Sequence, residues 1–556
     1  MASLNKIKNL FFYHWLDLIA VFVLIIYGIK LIYQVPQFLD LIPTDDAHYM
    51  QYGFKFPKKI YADFGPIYSA WFKILKVLFK EPILIYYISF MVISVFVPVS
   101  LFVFLRGLNL NRVVAFMLSF FFMCSELNLC FNFSPKISLF AIIFIFIAGF
   151  LATFVTKPKI LFLLSLPFVF LCSYIRPEYF LSFEILACIA FYWIIFKEKR
   201  QMKKLDWCLF SLAAFIILGI SFTIGLPLGD PARTAITFQQ HFAWNYQQWY
   251  HLPNANWFDY KITTAKYFGN ADTIFEFLKT NPTWFFKHVL FNIEQYFLLF
   301  YNKIGAFFFP KQFLGIPVWV GWLIIGIGII IIVFKVGIKK YCQFVLSFFK
   351  KYWSILIVLF VLTIPSIITS SLINAREHYL VLQLPLFFFV ICALFSPIAE
   401  LEKQNKYSNK YLFSTLLVFL ISFFCIPKLS NFTFSNVWEP YKKQYCLNAI
   451  KKIRTFNIQD KVLLMESEGG LDIYSNKNYK STMGFFKDKP FYQYIDSMKI
   501  NMVYVSKIIS EDKKFYGDPQ WKDFELNYFN KGFLKIPLPE NGSEYYFYVK
   551  QDLLKK

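Results

Sequence analysis

Asp45 and Asp46 stand side by side in LIPTDDAHYM, about ten residues beyond the first strongly apolar run of the chain. A carboxylate so placed can take the proton from an attacking hydroxyl. A reaction whose leaving group is already a stable anion needs only one such base. The neighbouring acid is then free to orient a hydroxyl, bind an amine or hold a metal ion. Adjacent residues do not form the opposed carboxyl pair of a hydrolase. An acidic pair in a loop is also an ordinary solvated feature. What sets this one apart is the apolar run before it and the aromatic stretch after it, with His48 alongside and Asp63 following in YADFGPIYS. Asp63 is the candidate second carboxylate.

A second group lies in NAREHYL, where Arg376, Glu377, His378 and Tyr379 mark the end of a late apolar run. An arginine there can grip a phosphate with its planar fork. Tyr379, three residues on, shares its face if a helix has begun. His378 either assists or sits at the interface. In SYIRPEYF, Arg176 and Glu178 flank Pro177, which starts the next helix. They either pair with each other or shape a cavity for an acceptor. His48, His241, His251 and Trp244 complete the acceptor-side candidates, the last three within FQQHFAWNYQQWYHLPNANWFDY, a stretch suited to stacking on sugars. None of the histidines has the spacing of a metal motif, so a divalent ion on Asp45 and Asp46 stays open and no cofactor is implied.

These side chains need a scaffold, and the composition names its solvent. Of 556 residues 58% are hydrophobic and 16% charged, with 73 Phe and 13 Trp. That excludes an ordinary soluble protein and places the chain in a membrane. Apolar runs begin near Phe11, Ile83, Val113, Ile137, Ile160, Tyr179, Trp207, Ile316, Trp353, Tyr379 and Tyr411, which gives eleven crossings. The stretch from Phe285 to Phe309 is interrupted by Lys287, His288, Glu294 and Lys303, and reads as an interfacial or re-entrant helix. The net charge of +23 is a matter of loops rather than of nucleic acid.

With the N-terminus in the cytoplasm, RGLNLNR, TKPK, KEKRQMKK, the basic run Lys335 to Lys351 and EKQNKYSNK all fall inside, as positive-inside bias requires. The outer side then receives the loops 34–82 and 229–283, CFNFSPK, SYIRPEY, SLINAREHY and everything after Pro427. Pro66 to Lys80 has the spacing of a helix lying along the interface or capping the bundle. From Val437 onward the pattern changes to helix, strand, helix, strand and late strands with a hairpin at PENGSEY, a small α/β domain. Gly469 and Gly470 follow a strand without the fingerprint of a dinucleotide site.

Taken together, DDAHYM after the first helix, GPIYSAWFKIL and NAREHYLVLQLPLFFFV resemble the polytopic glycosyltransferases that use polyprenyl-phosphate sugars, the protein mannosyltransferase and aminoarabinose transferase class with its bacterial relatives. The resemblance covers roughly residues 10 to 425. It implies an all-α membrane bundle of about 11–13 transmembrane helices, GT-C in type, over residues 1–427; the small extracytoplasmic α/β domain over 428–556, read from the pattern of the tail, is compatible with such enzymes but not specific to them. The resemblance also implies an inverting sugar transfer to a lipid, glycan or protein acceptor on the outer side of a bacterial inner membrane. The catalytic acids fall on Asp45 and Asp46, and the Arg-x-x-Tyr arrangement that meets the lipid phosphate falls on Arg376 and Tyr379. Many relatives carry Asp-Glu or a separated pair where this chain has Asp-Asp. The competing readings are a lipid or polysaccharide transporter or flippase, an O-antigen ligase or polymerase-like enzyme, and a noncatalytic assembly protein. The concentration of acids at one rim and the lack of an internal repeat weigh against a transporter.

Overall fold

Apolar runs with few breakers become helices because a lipid-embedded backbone must satisfy its own hydrogen bonds. The computed structural model describes all residues except 1, 42–43, 130–135, 194–195, 197–203, 229–230, 253–259, 309–316, 405–407, 427–443, 476, 484–488, 513–514, 516 and 555–556. It shows a polytopic, mostly helical membrane protein with a separate five-stranded sheet after the membrane region. Five helices are long and apolar enough to cross: Trp15–Phe38, Pro82–Gly107, Asp206–Ile224, Val318–Val336 and Ile338–Leu372. Six shorter apolar helices stand at Arg112–Met123, Ile137–Ala152, Pro158–Ser173, Tyr179–Tyr192, Leu384–Ile398 and Ser414–Cys425. These coincide with the remaining apolar runs of the sequence. Several are lined by buried residues, so protein walls rather than lipid meet much of their surface.

Two ends of the bundle can be told apart by their contacts. At one, Asp17 pairs with Arg106 at 3.0 Å and Arg112 at 2.6 Å, and Asn109 donates to the Tyr352 hydroxyl at 2.7 Å, where the Ile338–Leu372 helix kinks. Lys159 pairs with Asp206 at 2.8 Å. RGLNLNR and TKPK thus come with their own acidic partners. The segment KEKRQMKK and the CFNFSPK loop fall almost wholly outside the described residues, as does the junction at 427/428 between the two expected domains.

At the other end lie the loop 34–82, the SYIRPEY turn, the residues after Leu372 and the tail. The Ile67 N–H donates to the Tyr174 carbonyl at 3.2 Å, and the Tyr174 hydroxyl to the Gly225 carbonyl at 2.5 Å. The helix Pro282–Phe308 belongs here too. Its contacts go to the terminal turns of its neighbours. Asn292 donates to the carbonyls of Ser371 and Ile373, and Tyr296 to the Gln383 side chain. Trp322 donates to the Tyr301 carbonyl, and Phe307 stands 5.8 Å from Phe122. A crossbar laid over helix ends makes this pattern, and the sequence reading of a segment that does not cross agrees with it. Lys303, which looked like an interruption, is satisfied there by Glu126 at 2.6 Å and Glu377 at 2.7 Å.

The sheet of the tail has the order β2-β1-β3-β5-β4, from Val462–Glu466 (β1), Tyr479–Met483 (β2), Met502–Val505 (β3), Phe533–Pro537 (β4) and Tyr546–Lys550 (β5). β1 is parallel to β2 and β3, and β5 is antiparallel to β3 and β4. The helix, strand, helix, strand and hairpin series is present, with β2 inserted and two further helices, Lys507–Glu511 and Pro519–Asn527, before the hairpin. Glu466, at the end of β1, accepts from the N–H groups of Gly469 (2.6 Å), Gly470 (2.7 Å) and Leu471 (3.2 Å). The chain's own carboxylate therefore fills the glycine cradle that a phosphate would need.

Candidate functional site

The acidic pair is not in a loop. Thr44–Lys55 is a helix with both aspartates in its first turn, where negative charge meets the positive end of the helix dipole. Successive residues on a helix point about 100° apart, so the two acids part company. Asp45 is exposed and Asp46 is 7% exposed. Asp46 accepts a hydrogen bond from the Tyr68 hydroxyl at 3.2 Å. Burial, and then the neighbouring Asp45 charge, push its pKa up to about 7. Tyr68 and Lys136 act in the opposite sense. Lys136 is itself buried, donating to the carbonyls of Asn128 (2.9 Å) and Leu129 (2.5 Å).

The acidic helix packs on the helix Pro66–Leu78 so closely that a Cβ at Gly53 would collide with the Ser69 carbonyl. Gly65 opens that second helix at φ 54°, and a Cβ there would press at 3.0 Å on both the Ile175 carbonyl and the Tyr49 ring. Only glycine brings these three segments together without strain. The result sets Tyr49 against Phe64 at 4.6 Å and against Tyr68 at 5.2 Å. This aromatic floor joins the acidic helix to the SYIRPEY turn.

Arg176 is 8% exposed and pairs with Glu178 at 2.6 Å. Of the two expectations for this pair, the side chains meet the first: the residues bind each other. Tyr379 lies under the Arg176 guanidinium, 5.5 Å from ring centre to Cζ. Arg376 precedes its helix, Glu377–Val381, with an extended backbone, so Arg376 and Tyr379 do not share a helical face. The Arg376 side chain instead reaches His241, its Nη2 lying 3.0 Å from His241 Nε2. Desolvation pulls the Arg376 guanidinium below its ordinary pKa, while Tyr379 and then Asp45 pull it back, which puts the Asp45 carboxylate within electrostatic reach of Arg376.

His241 sits on the helix Pro231–Trp249, buried. Burial, followed by Arg376 and His288, pushes its pKa down to about 2. A ring that stays neutral leaves Nε2 as an acceptor and Arg376 with its full charge. His378 is buried against Tyr379 at 4.1 Å between ring centres, and burial with Arg176 and Arg376 holds it well below the usual range. It contributes a neutral ring, not a cation. Trp244 is exposed one turn beyond His241, and His48 is half-buried on the acidic helix. Asp63 is half-buried at the rim, near Tyr52. His251 is exposed in the turn that ends its helix, apart from the cluster.

Two participants escaped the sequence. Arg233, in the first turn of the same helix as His241, is exposed, with its guanidinium 5.2 Å from the Phe64 ring. Its signal was Pro231, a helix start in a long polar loop with a cation close by. Tyr474 of the tail is wholly buried, 6.2 Å from Tyr86, and close enough to Asp46 for the carboxylate to disfavour its ionisation. The tail thus supplies part of the wall behind Asp46. Among the described residues no group of three or more His, Cys, Asp or Glu side chains gathers to hold a metal ion. Neither a scan against protein-family models nor a search of curated proteins finds a match to this chain.

Proposed function

We propose that the protein is a membrane glycosyltransferase that moves a sugar from a polyprenyl-phosphate carrier to a polar acceptor, a lipid, glycan or protein, on the side of the membrane where Asp45 and Arg376 lie. The carrying observation is that Asp45 and Arg376, distant in sequence, are both exposed and lie within electrostatic reach of each other at one end of the bundle. Asp45 is the base: it is the exposed member of the pair, whereas Asp46 is committed to Tyr68. It takes the proton from the acceptor hydroxyl as that oxygen attacks the anomeric carbon. The bond from that carbon to the phosphate oxygen breaks on the opposite face, so configuration inverts. The departing phosphate gains charge, and Arg376 stands ready to receive it with a bidentate fork. Asp46, buried behind, positions the helix that carries Asp45. By the positive-inside argument that side faces outward, which makes the site periplasmic or extracellular in a bacterial inner membrane.

The test is transfer from a lipid extract by purified protein, with mass spectrometry of the product. Wild type should release a glycosylated acceptor, and Asp45→Asn should be slower by on the order of 10²–10⁴. Wild-type transfer by Asp45→Asn would remove the base from the scheme.

A further inference from the structure

We propose that an anionic phospholipid binds where the helix Pro66–Leu78 meets the tail. Lys73, Lys76 and Lys477 hold its headgroup phosphate, and its acyl chains lie along Ile74, Val77 and Leu78. The site is separate from the cluster around Asp45 and does not depend on the reaction assigned there.

The helix Pro66–Leu78 has two apolar sides. Tyr68, Ser69, Phe72 and Leu75 are buried on the side that packs against the acidic helix. Ile74, Val77 and Leu78 are exposed at 55%, 76% and 67%. At about 100° per residue these three form one arc opposite the packed side. Lys73 falls on the border between the two arcs, and Lys76 lies beside it at the edge of the packed one. The chain itself says what covers the exposed arc. Leu78 stands four residues before Pro82, where the membrane-length helix Pro82–Gly107 begins. The arc therefore lies at the level where the chain enters the bilayer, continuous with surface that meets lipid. Lysines at such a border keep their stems on apolar surface and their ammonium groups among the headgroups.

The cations gather from two parts of the chain. Lys76 Nζ stands 4.2 Å from the centre of the Phe54 ring, on the acidic helix. Burial, then Lys73 one turn back and Lys477 from the tail, draw its pKa below the ordinary lysine value. The charges that bear on Lys76 are thus both positive. Lys477 is carried there by the helix Leu471–Tyr474, whose Tyr474 ring lies 6.2 Å from Tyr86 near the start of Pro82–Gly107. Arg454 fixes the same turn, donating from Nε to the Tyr474 carbonyl at 3.0 Å. It also pairs with Glu81 at 2.8 Å, which takes up the acid next to Lys80. Among the described residues no carboxylate pairs with Lys73, Lys76 or Lys477. Cations held together without an acid favour an anion between them, and the apolar arc alongside selects one that carries acyl chains. A headgroup bound there also ties the tail to the helix that packs on the acidic helix.

Full-length protein in neutral detergent, titrated with phosphatidylglycerol or phosphatidylcholine and read by native mass spectrometry, tests the site. Wild type should retain phosphatidylglycerol in preference to phosphatidylcholine. Lys76→Gln and Lys477→Gln should each weaken the tightest phosphatidylglycerol site about fivefold and leave phosphatidylcholine unchanged. Lys76→Arg, which keeps the charge, should bind as wild type does. Lys279→Gln removes an exposed charge from another helix, Ile274–Thr280, and should change nothing. Lys76 and Lys477 are exposed, so lipid-free melting temperatures of their variants should match wild type. An equal loss in Lys279→Gln would assign the binding to overall charge and overturn the site. Full binding by a folded Lys477→Gln would remove the tail from it and overturn the bridge. Inorganic phosphate that displaces phosphatidylglycerol at equal concentration would show an anion site indifferent to acyl chains, and would overturn the lipid assignment.

Discussion

Arg376 donates its Nη2–H to His241 Nε2 at 3.0 Å, so a cation of the site is steadied by a neutral ring rather than by an acid. A carboxylate there would have cancelled the charge that a phosphate requires. The ring fixes the fork and leaves its field intact.

Removing the ring should therefore loosen anion binding. His241→Phe should weaken inorganic phosphate binding about tenfold or more, the usual size of a hydrogen bond to a charged group. His241→Gln, which keeps an acceptor, should recover most of it. Equal affinities for the two variants in calorimetry would mean that the ring acts by packing alone.

Asp46 should make stability fall as pH rises. Its folded pKa, raised by burial to about 7, lies above the ordinary carboxylate value of 3.8. The folded state therefore binds more protons across that interval. The contribution is full below about pH 4 and lost as pH climbs through 7. Asp46→Asn cannot ionise, so its melting temperature relative to wild type should rise between pH 5 and pH 8. Parallel melting profiles would contradict the assigned burial.

Asp40 docks the tail. Buried just ahead of the helix Thr44–Lys55, it accepts from Leu41 N (2.8 Å), Cys446 N (2.8 Å) and Leu447 N (2.9 Å), capping the helix Tyr445–Thr455 from a distant part of the chain. Asp40→Ala should cost roughly 1–2 kcal/mol of that docking. Limited trypsin digestion should release a C-terminal fragment faster from the variant than from wild type.

Sidedness is accessible to labelling. Single cysteines at the exposed positions Lys58, Lys279 and Glu540 should react with an impermeant thiol reagent from one side, and a cysteine at Lys157 from the other. Signal is read over the wild-type background. Lys279 labelled from the Lys157 side would turn the crossbar Pro282–Phe308 into a crossing.

The apolar runs were legible because lipid imposes a plain rule on backbone and composition, and every described apolar helix sits on one of them. The participation of Asp45, Arg176 and Arg376 in one cluster was legible from their shared side. Which aspartate turns inward was not, because it depends on a helix start at Thr44 in a stretch that reads as a loop. β2, with the sequence YKSTM, carries no hydrophobic alternation; its ladder to β1 makes it a strand. The partners of Lys303 and Arg376 lie far away in sequence, and no local pattern encodes such a meeting.

The span between Asp40 and Cys446, 406 residues, also sets an order of events in biogenesis. At roughly 5–20 residues per second, the acid waits about 20 to 80 s on the translating ribosome before its partner exists. Until then the wall behind Asp46 is missing its tail residue Tyr474, although the first helices are already in the bilayer. A nascent chain of this protein is thus inserted long before it is assembled, and truncation anywhere ahead of the sheet leaves a membrane protein with an unfinished first loop.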